Sequence, residues 1–405
     1  MVQLKTAPTL RLAYPEVKHV FARGSFARGC CIISLQPDRF QMQILLVKLS
    51  SIGDVVHTLP AAALLRRAFP DARISWVVER RASAIIKDSP VIDQLIELDM
   101  RAWRQDILTA STIRSIRTQL GQLRQTKGSN GAAHADIAID FQGLMKSGLV
   151  AFASRATKRI GFETSDLREK ASKLLLTEQA KTSRFTHVID KNIALAQAAI
   201  ADSGTTRVTQ KEVSKTGYEF PIAISAEDQC LVESATEGHL PFAIINPGGG
   251  WSTKLWAPDR YASLADWLWG DCGLNSFVTY GPEEERLAQA VVSMSRSQAV
   301  RPLATTLKQF VALAGLAALF VGGDTGPLHL AAASAAPIVG LYGPTSPRRN
   351  GPFDSRDITV GRDLWCRADC HRRTCWHWEC MDIPLNDVKH AVVKRLANRK
   401  EEKAD

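Results

Sequence analysis

The sequence lacks any long hydrophobic segment. Its longest apolar run, Val311–Val321, has eleven residues, whereas a helix that crosses a bilayer needs about 20. We therefore expect no transmembrane helix. The basic N-terminus is not followed by the apolar core of a signal peptide, so we expect the eight cysteines to lie in a reducing compartment. A disulfide framework is not expected there.

Aromatic residues are also scarce, at 7% of the chain, and they do not interleave with basic clusters as in nucleic-acid-binding proteins. The formal net charge is nevertheless +10. A net positive charge of this size favours binding to nucleic acid, to an anionic membrane surface or to a phosphorylated substrate. We favour the second and third interpretations and expect no nucleic-acid partner, with binding through a basic arm as the alternative.

The first 41 residues differ from the rest of the chain. They carry six basic residues against two acidic ones, and the first clean strand pattern begins only after Met42. We expect residues 1–41 to be a basic, poorly ordered extension, as translation from an upstream start codon would produce. The alternative is a basic arm that contacts a membrane.

From residue 43 onward, short apolar strands alternate with amphipathic helices, which is the pattern of an open parallel sheet. Strands are predicted at 43–48, 74–79, 136–141, 242–247, 275–281, 319–323 and 337–343. Helices are predicted at 54–69 and near 258–270, 283–296, 306–316 and 326–335. Residues 205–219 lose the apolar rhythm and are predicted to be a linker. The fold class is therefore α/β, with two doubly wound halves that bind ligands at strand ends and in the cleft between them.

The clearest motif is "FVGGDTGPLHLAAASAAPIVGLYGPTSP". A strand ends at two glycines, Asp324 or Thr325 can cap the following helix, and Pro327 fits its first turn. The amides at such a helix start favour a phosphate, and His329 is placed to face the same ligand. The plain alternative is a well-capped helix with a surface histidine. The glycines and the second motif "GLYGPTSP" favour a diphosphate site.

A second motif, "INPGGGWSTKLWAPDRY", places three glycines after a strand and Lys254 in the same loop. Bare backbone and a mobile ammonium suit a phosphate leaving group, although a flexible loop with a solvated lysine has the same pattern.

A third motif, "DFQGLMKSGLV", places Gln142 and Lys146 at another strand end, where a plain polar helix start is the alternative.

A fourth motif, "LLVKLSSIGDVVHTLP", puts a carboxylate, Asp54, directly after Gly53 at a strand-to-helix turn that would otherwise suit an anion. Since the second half of the chain holds the better phosphate turn, Asp54 can act as a base. We expect Gly53 to keep the approach open and the helix dipole to hold Asp54 ionised.

Four cysteines lie within fifteen residues in the segment "CRADCHRRTCWHWEC": Cys366, Cys370, Cys375 and Cys380. Zinc commonly takes four such ligands, but the paired C-x2-C spacing of zinc knuckles is missing. Two interpretations stay open, namely a structural metal bound by these four cysteines and a compact loop of reduced thiols. If a metal is bound there, catalysis would not need it.

Together these motifs, with "WVVE" and "THVIDKN", resemble the ADP-heptose:lipopolysaccharide heptosyltransferases of glycosyltransferase family 9, and most resemble heptosyltransferase I. The resemblance covers about 42–390 in the same order. It implies a GT-B fold and an inverting transfer, without metal or cofactor, of heptose from ADP-heptose to the Kdo residue of lipid A. It also implies cytoplasmic localisation, peripheral on the anionic inner face of the inner membrane.

The resemblance also assigns roles to regions. Residues 42–215 would form the acceptor-binding domain and 216–383 the ADP-sugar-binding domain, which includes the Cys-rich segment 366–380. A C-terminal helix and tail would occupy 384–405.

The residues that match the family's functional positions fall into three groups. Asp54 stands at the catalytic base. The positions matching donor contacts are Gly249, Gly250, Lys254, Glu283, Asp324, Thr325, Gly326 and His329. We expect acceptor contacts from Arg101, Arg104, Gln142 and Lys146, of which the two arginines match by position.

One departure affects the substrate. Heptosyltransferase I has two threonines where this chain has Gly249 and Gly250. The two glycines more closely resemble other branches of the family. A heptosyltransferase II-like enzyme, or a GT-B enzyme with another sugar nucleotide or epimerase chemistry, is therefore an alternative. A non-enzymatic sugar-nucleotide sensor is a further one.

Overall fold

The computed structural model describes residues 42–100, 109–124, 134–202, 217–366, 370, 372–376 and 378–402, which belong to one compact unit. Its strands form two six-stranded sheets. The first contains β1 Gln43–Val47, β2 Arg73–Glu79, β3 Gln94–Leu98, β4 Ile137–Asp140, β5 Lys158–Phe162 and β6 Glu178–Ala180. The second contains β7 Phe242–Asn246, β8 Asn275–Tyr280, β9 Val300–Ala304, β10 Leu319–Gly323, β11 Ile338–Leu341 and β12 Ile358–Val360.

All strand pairs in both sheets are parallel, and the two sheets have the same strand order. The first runs β3-β2-β1-β4-β5-β6 and the second, read from its other edge, β9-β8-β7-β10-β11-β12. The central strands β1 and β7 are buried along their whole length, as expected for a sheet covered on both faces. In each half the strand order reverses next to the first strand, and ligands of such folds bind at that switch point. The prediction of two doubly wound halves is confirmed.

The helices cover the two sheets. The described α-helices are Ile52–Val56, Leu59–Ala68, Arg80–Ile86, Ala110–Arg124, Met145–Ala153, Val188–Asp202, Ala226–Thr236, Pro258–Cys272, Glu285–Met294, Leu307–Leu316, Gly326–Ala333, Pro347–Asn350 and Leu385–Glu402. Short 3-10 turns occupy Lys170–Leu175, Ser252–Lys254 and Glu379–Met381.

The prediction of one helix over 54–69 is wrong, because the segment divides into Ile52–Val56 and Leu59–Ala68. Pro60 lies in the first turn of the second helix and has no N–H to donate to Val56, so the first helix cannot continue through it. The buried side chain of Asn192 donates to the carbonyl of His57 at 2.9 Å and stabilises the break.

One buried apolar cluster extends through both halves, from Leu46 and Trp76 beside the first sheet to Phe242, Phe320 and Leu328 beside the second. Such a shared core resists separation of the halves, since the exposed apolar area would be large. The C-terminal helix Leu385–Glu402 packs against β11 and β12. None of the described helices is long and apolar enough to cross a membrane. Residues 1–41 and most of the linker predicted at 205–219 lie outside the described residues.

Candidate active site

The predicted site motifs follow the strands beside the two switch points. Asp54 comes after β1, and Gln142 and Lys146 come after β4. In the second half, Lys254 follows β7 and Asp324 follows β10. Because carboxyl ends of parallel strands share one edge of a sheet, each half gathers its own motifs at one place.

Asp54 is held by bonds from its own turn and by two cations. Its Oδ2 accepts from the Ser51 N–H at 2.9 Å and from the Ser51 hydroxyl at 3.2 Å. Its Oδ1 lies 3.8 Å from Lys48 Nζ and 3.4 Å from Arg168 Nη2. Burial alone would raise the pKa of Asp54. The nearby positive charges and the Ser51 N–H outweigh that effect, so the pKa lies well below its ordinary value.

Lys48, which the sequence did not single out, is the buried partner of this carboxylate. It is the residue after β1, and its Nζ donates to the carbonyl of Phe141 at 2.6 Å. Burial lowers the pKa of Lys48 to about 8, although Asp54 and Asp140 partly counteract the effect. Lys48 and Arg168 therefore stabilise the ionised form of Asp54, and the expected contribution of the helix dipole stays a prediction.

The two halves meet directly at this turn. A Cβ atom placed on Gly53 would lie 2.2 Å from Cδ2 of His329, and one placed on Gly326 would lie 2.7 Å from Cγ2 of Ile52. Each helix start thus has a glycine that accommodates a side chain of the other half. The expectation that Gly53 leaves an open approach is wrong on the side where His329 fills the space.

His329 is buried rather than on the surface, contrary to the plain alternative. Its ring lies 4.4 Å from that of His57, measured between centroids, and its Nε2 lies 3.2 Å from Asp324 Oδ1. Burial, with the neighbouring His329 and His187, holds the pKa of His57 well below its usual value. The structure therefore places His329 as a contact between the halves, and its predicted role toward the donor stays a prediction.

The turn after β10 is fastened by Asp324. This carboxylate accepts from Lys254 Nζ at 2.7 Å and from Asn350 Nδ2 at 2.8 Å, and Lys254 also donates to the Asp324 carbonyl at 2.7 Å. Burial would raise the pKa of Asp324, but its bonds to His329 and Lys254 keep that pKa far below the ordinary value. The predicted donor residues Lys254 and Asp324 are therefore in direct contact.

Two buried hydroxyls near this turn have no hydrogen-bond partner within the described residues, Thr325 Oγ1 and Thr345 Oγ1. Thr325 occupies the N-cap position of the helix Gly326–Ala333 but makes no side-chain capping bond, and Thr345 belongs to the "GLYGPTSP" motif. Buried polar atoms normally have partners. These hydroxyls and the free amides of the helix start suit an anion with several acceptor oxygens.

The glycine loop after β7 is close to the same site. A Cβ on Gly248 would lie 2.5 Å from Glu284 Oε1, and one on Gly249 would lie 2.9 Å from Leu255, whereas Gly250 faces open space. Glu283 is exposed, and its neighbour Glu284 is the acid that packs against this loop and accepts from the Gly281 N–H at 3.1 Å. The donor role of Glu283 stays a prediction.

The predicted acceptor residues divide into two pairs. Arg101 and Arg104 lie outside the described residues. Gln142 is buried and braces the turn before Asp54, since its side chain donates to the Ser50 carbonyl at 2.8 Å and accepts from the Leu49 N–H at 3.0 Å. Lys146 forms an ion pair with Glu79 at 2.8 Å.

Sequence patterns missed three cations, Lys48, Arg168 and Arg349. Arg168 is separated from Asp54 by 114 residues, so only the tertiary fold joins them. Arg349, from the second half, lies near enough to Lys48 to lower its pKa. The one available signal was Lys48, a lysine directly after an otherwise apolar strand.

Two parallel doubly wound halves, with a held carboxylate on one and a cation beside a phosphate-type turn on the other, are the arrangement of GT-B type glycosyltransferases. The family model of glycosyltransferase family 9 (heptosyltransferase) matches residues 124–377. The chain belongs to this family and is a transferase.

Known relatives and structures agree. Lipopolysaccharide heptosyltransferase 1 of Pseudomonas aeruginosa is 28% identical over 82% of this chain and 87% of the relative. The same-named protein of Escherichia coli K12 is 26% identical over 81% of this chain and 94% of its own. The structure of E. coli heptosyltransferase WaaC with ADP matches with a TM-score of 0.68 and 22% identity, covering 87% of this chain and all of the other. That likeness confirms the GT-B fold.

Proposed function

We propose that the protein transfers heptose from ADP-heptose to the Kdo residue of the lipid A inner core with inversion at the anomeric carbon. The contact of Gly53 with His329 carries the proposal, because it joins the turn that holds Asp54 to the helix start that suits a diphosphate. Supporting it, relatives that span most of the chain are named lipopolysaccharide heptosyltransferase 1. A related structure is titled as WaaC with ADP-2-deoxy-2-fluoro heptose.

In the proposed reaction, the acceptor hydroxyl attacks the anomeric carbon as the bond from that carbon to the β-phosphate oxygen breaks. The hydroxyl proton passes to Asp54, and ADP leaves with the bonding electrons. Because Lys48 and Arg168 lower the pKa of Asp54, this carboxylate is a weak base. Proton transfer is therefore late, when the sugar–phosphate bond is already long.

The leaving diphosphate needs positive charge and hydrogen-bond donors. Lys254 supplies an ammonium, the helix Gly326–Ala333 supplies free amides, and Thr325 and Thr345 supply hydroxyls that have no partner within the described residues. For Lys254 to contact the phosphates it exchanges part of its bonding to Asp324. The roles of Gly249, Gly250 and Glu283 at the donor remain part of this proposal.

The acceptor is a polyanion in a membrane. A net charge of +10 favours approach to the anionic cytoplasmic face of the inner membrane, and we propose peripheral association there. Arg101 and Arg104 would contact acceptor carboxylates or phosphates. Lys146 would contact these groups only after its ion pair with Glu79 breaks. Gln142 would act indirectly, by holding the backbone of the turn before Asp54.

The deciding experiment measures ADP release from ADP-heptose with and without a Kdo-bearing lipid A acceptor. We expect release only when both substrates are present, with a heptosylated product by mass spectrometry. No release with this pair would overturn the proposal. Release only with an acceptor already carrying heptose would instead support the heptosyltransferase II-like alternative, and donor conversion without acceptor would indicate epimerase chemistry.

A further inference from the structure

The four clustered cysteines converge in the fold. Cys366, Cys370, Cys375 and Cys380 all line one small cavity of about 20 Å³, together with Thr253 and Pro344. A cavity of this size holds about one water-sized particle. No disulfide joins any of the described cysteines.

We propose that these four cysteines bind one thiophilic metal ion, Zn²⁺ or iron, as a tetrathiolate site that fastens the donor-binding loop. Four sulfur ligands in tetrahedral arrangement are typical of structural zinc and of iron–sulfur chemistry. Both ions are bound by the same ligand chemistry, and the experiment below distinguishes them.

The cavity also offers a countercharge to a metal-bound set of four thiolates. A bound divalent ion replaces up to four thiol protons, which are released, and leaves a site with a net charge of about −2. Arg372, which also lines the cavity, offsets part of that charge.

Within the described residues no three His, Cys, Asp or Glu side chains already form a ready metal-binding group. Metal binding must therefore draw the four thiols inward around the cavity. Such coupling between binding and local folding is usual for small sites built from a single loop.

The cysteine segment is bonded to the loop that carries Lys254. Thr253 Oγ1 donates to the Arg372 carbonyl at 2.7 Å and Ser252 Oγ to the Arg373 carbonyl at 3.3 Å. The guanidinium of Arg373 lies over the Trp251 ring at 5.4 Å. Fixing the cysteines would therefore fix the backbone around Lys254. This second consequence rests on the proposed donor role of that loop, whereas metal binding does not.

The first test is elemental analysis of the intact chain, purified under reducing conditions and incubated with Zn²⁺ or Fe²⁺. We expect about one metal per chain, with thiolate-to-metal charge-transfer absorption after Co²⁺ replacement. Zinc or iron in the protein as isolated identifies the native ion. The Cys370→Ser/Cys375→Ser variant should lose the metal, and the matched control Cys230→Ser, an exposed cysteine elsewhere, should keep it.

Wild-type protein with less than about a tenth of an equivalent of metal would overturn the site without depending on how any variant folds. Equal metal content in the double variant and the control would overturn it too. The second test is ADP affinity by calorimetry, where removal of the metal should raise Kd about fivefold, as for a lost hydrogen bond. An unchanged Kd in a metal-binding protein would overturn the loop-fastening role alone.

Discussion

Gly53 of the first half lies directly against His329 of the second, where a Cβ atom would sit only 2.2 Å from the imidazole Cδ2. The reciprocal contact, Ile52 against Gly326, has the same character. These pairs fix the distance between the turn of Asp54 and the turn of Asp324. The glycine that precedes the candidate base is therefore required by the contact between the halves.

Gly53→Ala tests this contact. The added methyl group cannot fit without moving His329 or separating the two helix starts, so we expect a stability loss of about 1–3 kcal/mol and a lower kcat. Thermal unfolding and steady-state rates measure both effects. The matched control is Gly270→Ala, because nothing lies within 4 Å of a Cβ there.

The double variant Gly53→Ala/His329→Ala should recover part of the stability lost by Gly53→Ala, since the ring that causes the clash is gone. An unfolding midpoint of Gly53→Ala equal to that of the wild type would contradict the account of this contact.

Lys48→Met tests what holds Asp54 ionised. Lys48 lowers the pKa of Asp54, so its removal should raise that pKa and move the acidic limb of the kcat/KM profile to higher pH. Arg168→Met should act in the same direction. The surface cation Lys389, which lies over the Trp267 ring, supplies the control Lys389→Met. An unmoved acidic limb in Lys48→Met would show that Asp54 is not the group that titrates.

Lys254→Ala tests the donor site. Loss of a charge-assisted contact costs about 1.5–3 kcal/mol, so we expect ADP to bind roughly 10- to 150-fold more weakly by calorimetry. Lys389→Ala should bind ADP like the wild type. If Lys254→Ala retains wild-type ADP affinity, the lysine serves only to pair with Asp324.

Local patterns predicted the strands well, because buried parallel strands are apolar along their length: the strand expected at 242–247 is Phe242–Asn246. The site was predicted in part. Asp54, Lys254 and Asp324 follow strand ends and were found by motif. Arg168 and Arg349 reach the site only through the tertiary fold, and no short-range pattern encodes such contacts. The break after Val56 was missed although Pro60 signalled it, because the apolar periodicity continues through the proline while its missing N–H ends the first helix.

The most direct test of the central claim is turnover of Asp54→Asn with ADP-heptose and the Kdo-bearing acceptor, beside ADP binding and thermal unfolding. The exposed Asp271→Asn serves as the matched control. A general base contributes at least about 100-fold, so we predict a loss of that size in kcat, with ADP affinity and folding preserved and the control unaffected. A folded Asp54→Asn variant whose kcat stays within about threefold of the wild type would contradict the assignment of Asp54 as the catalytic base.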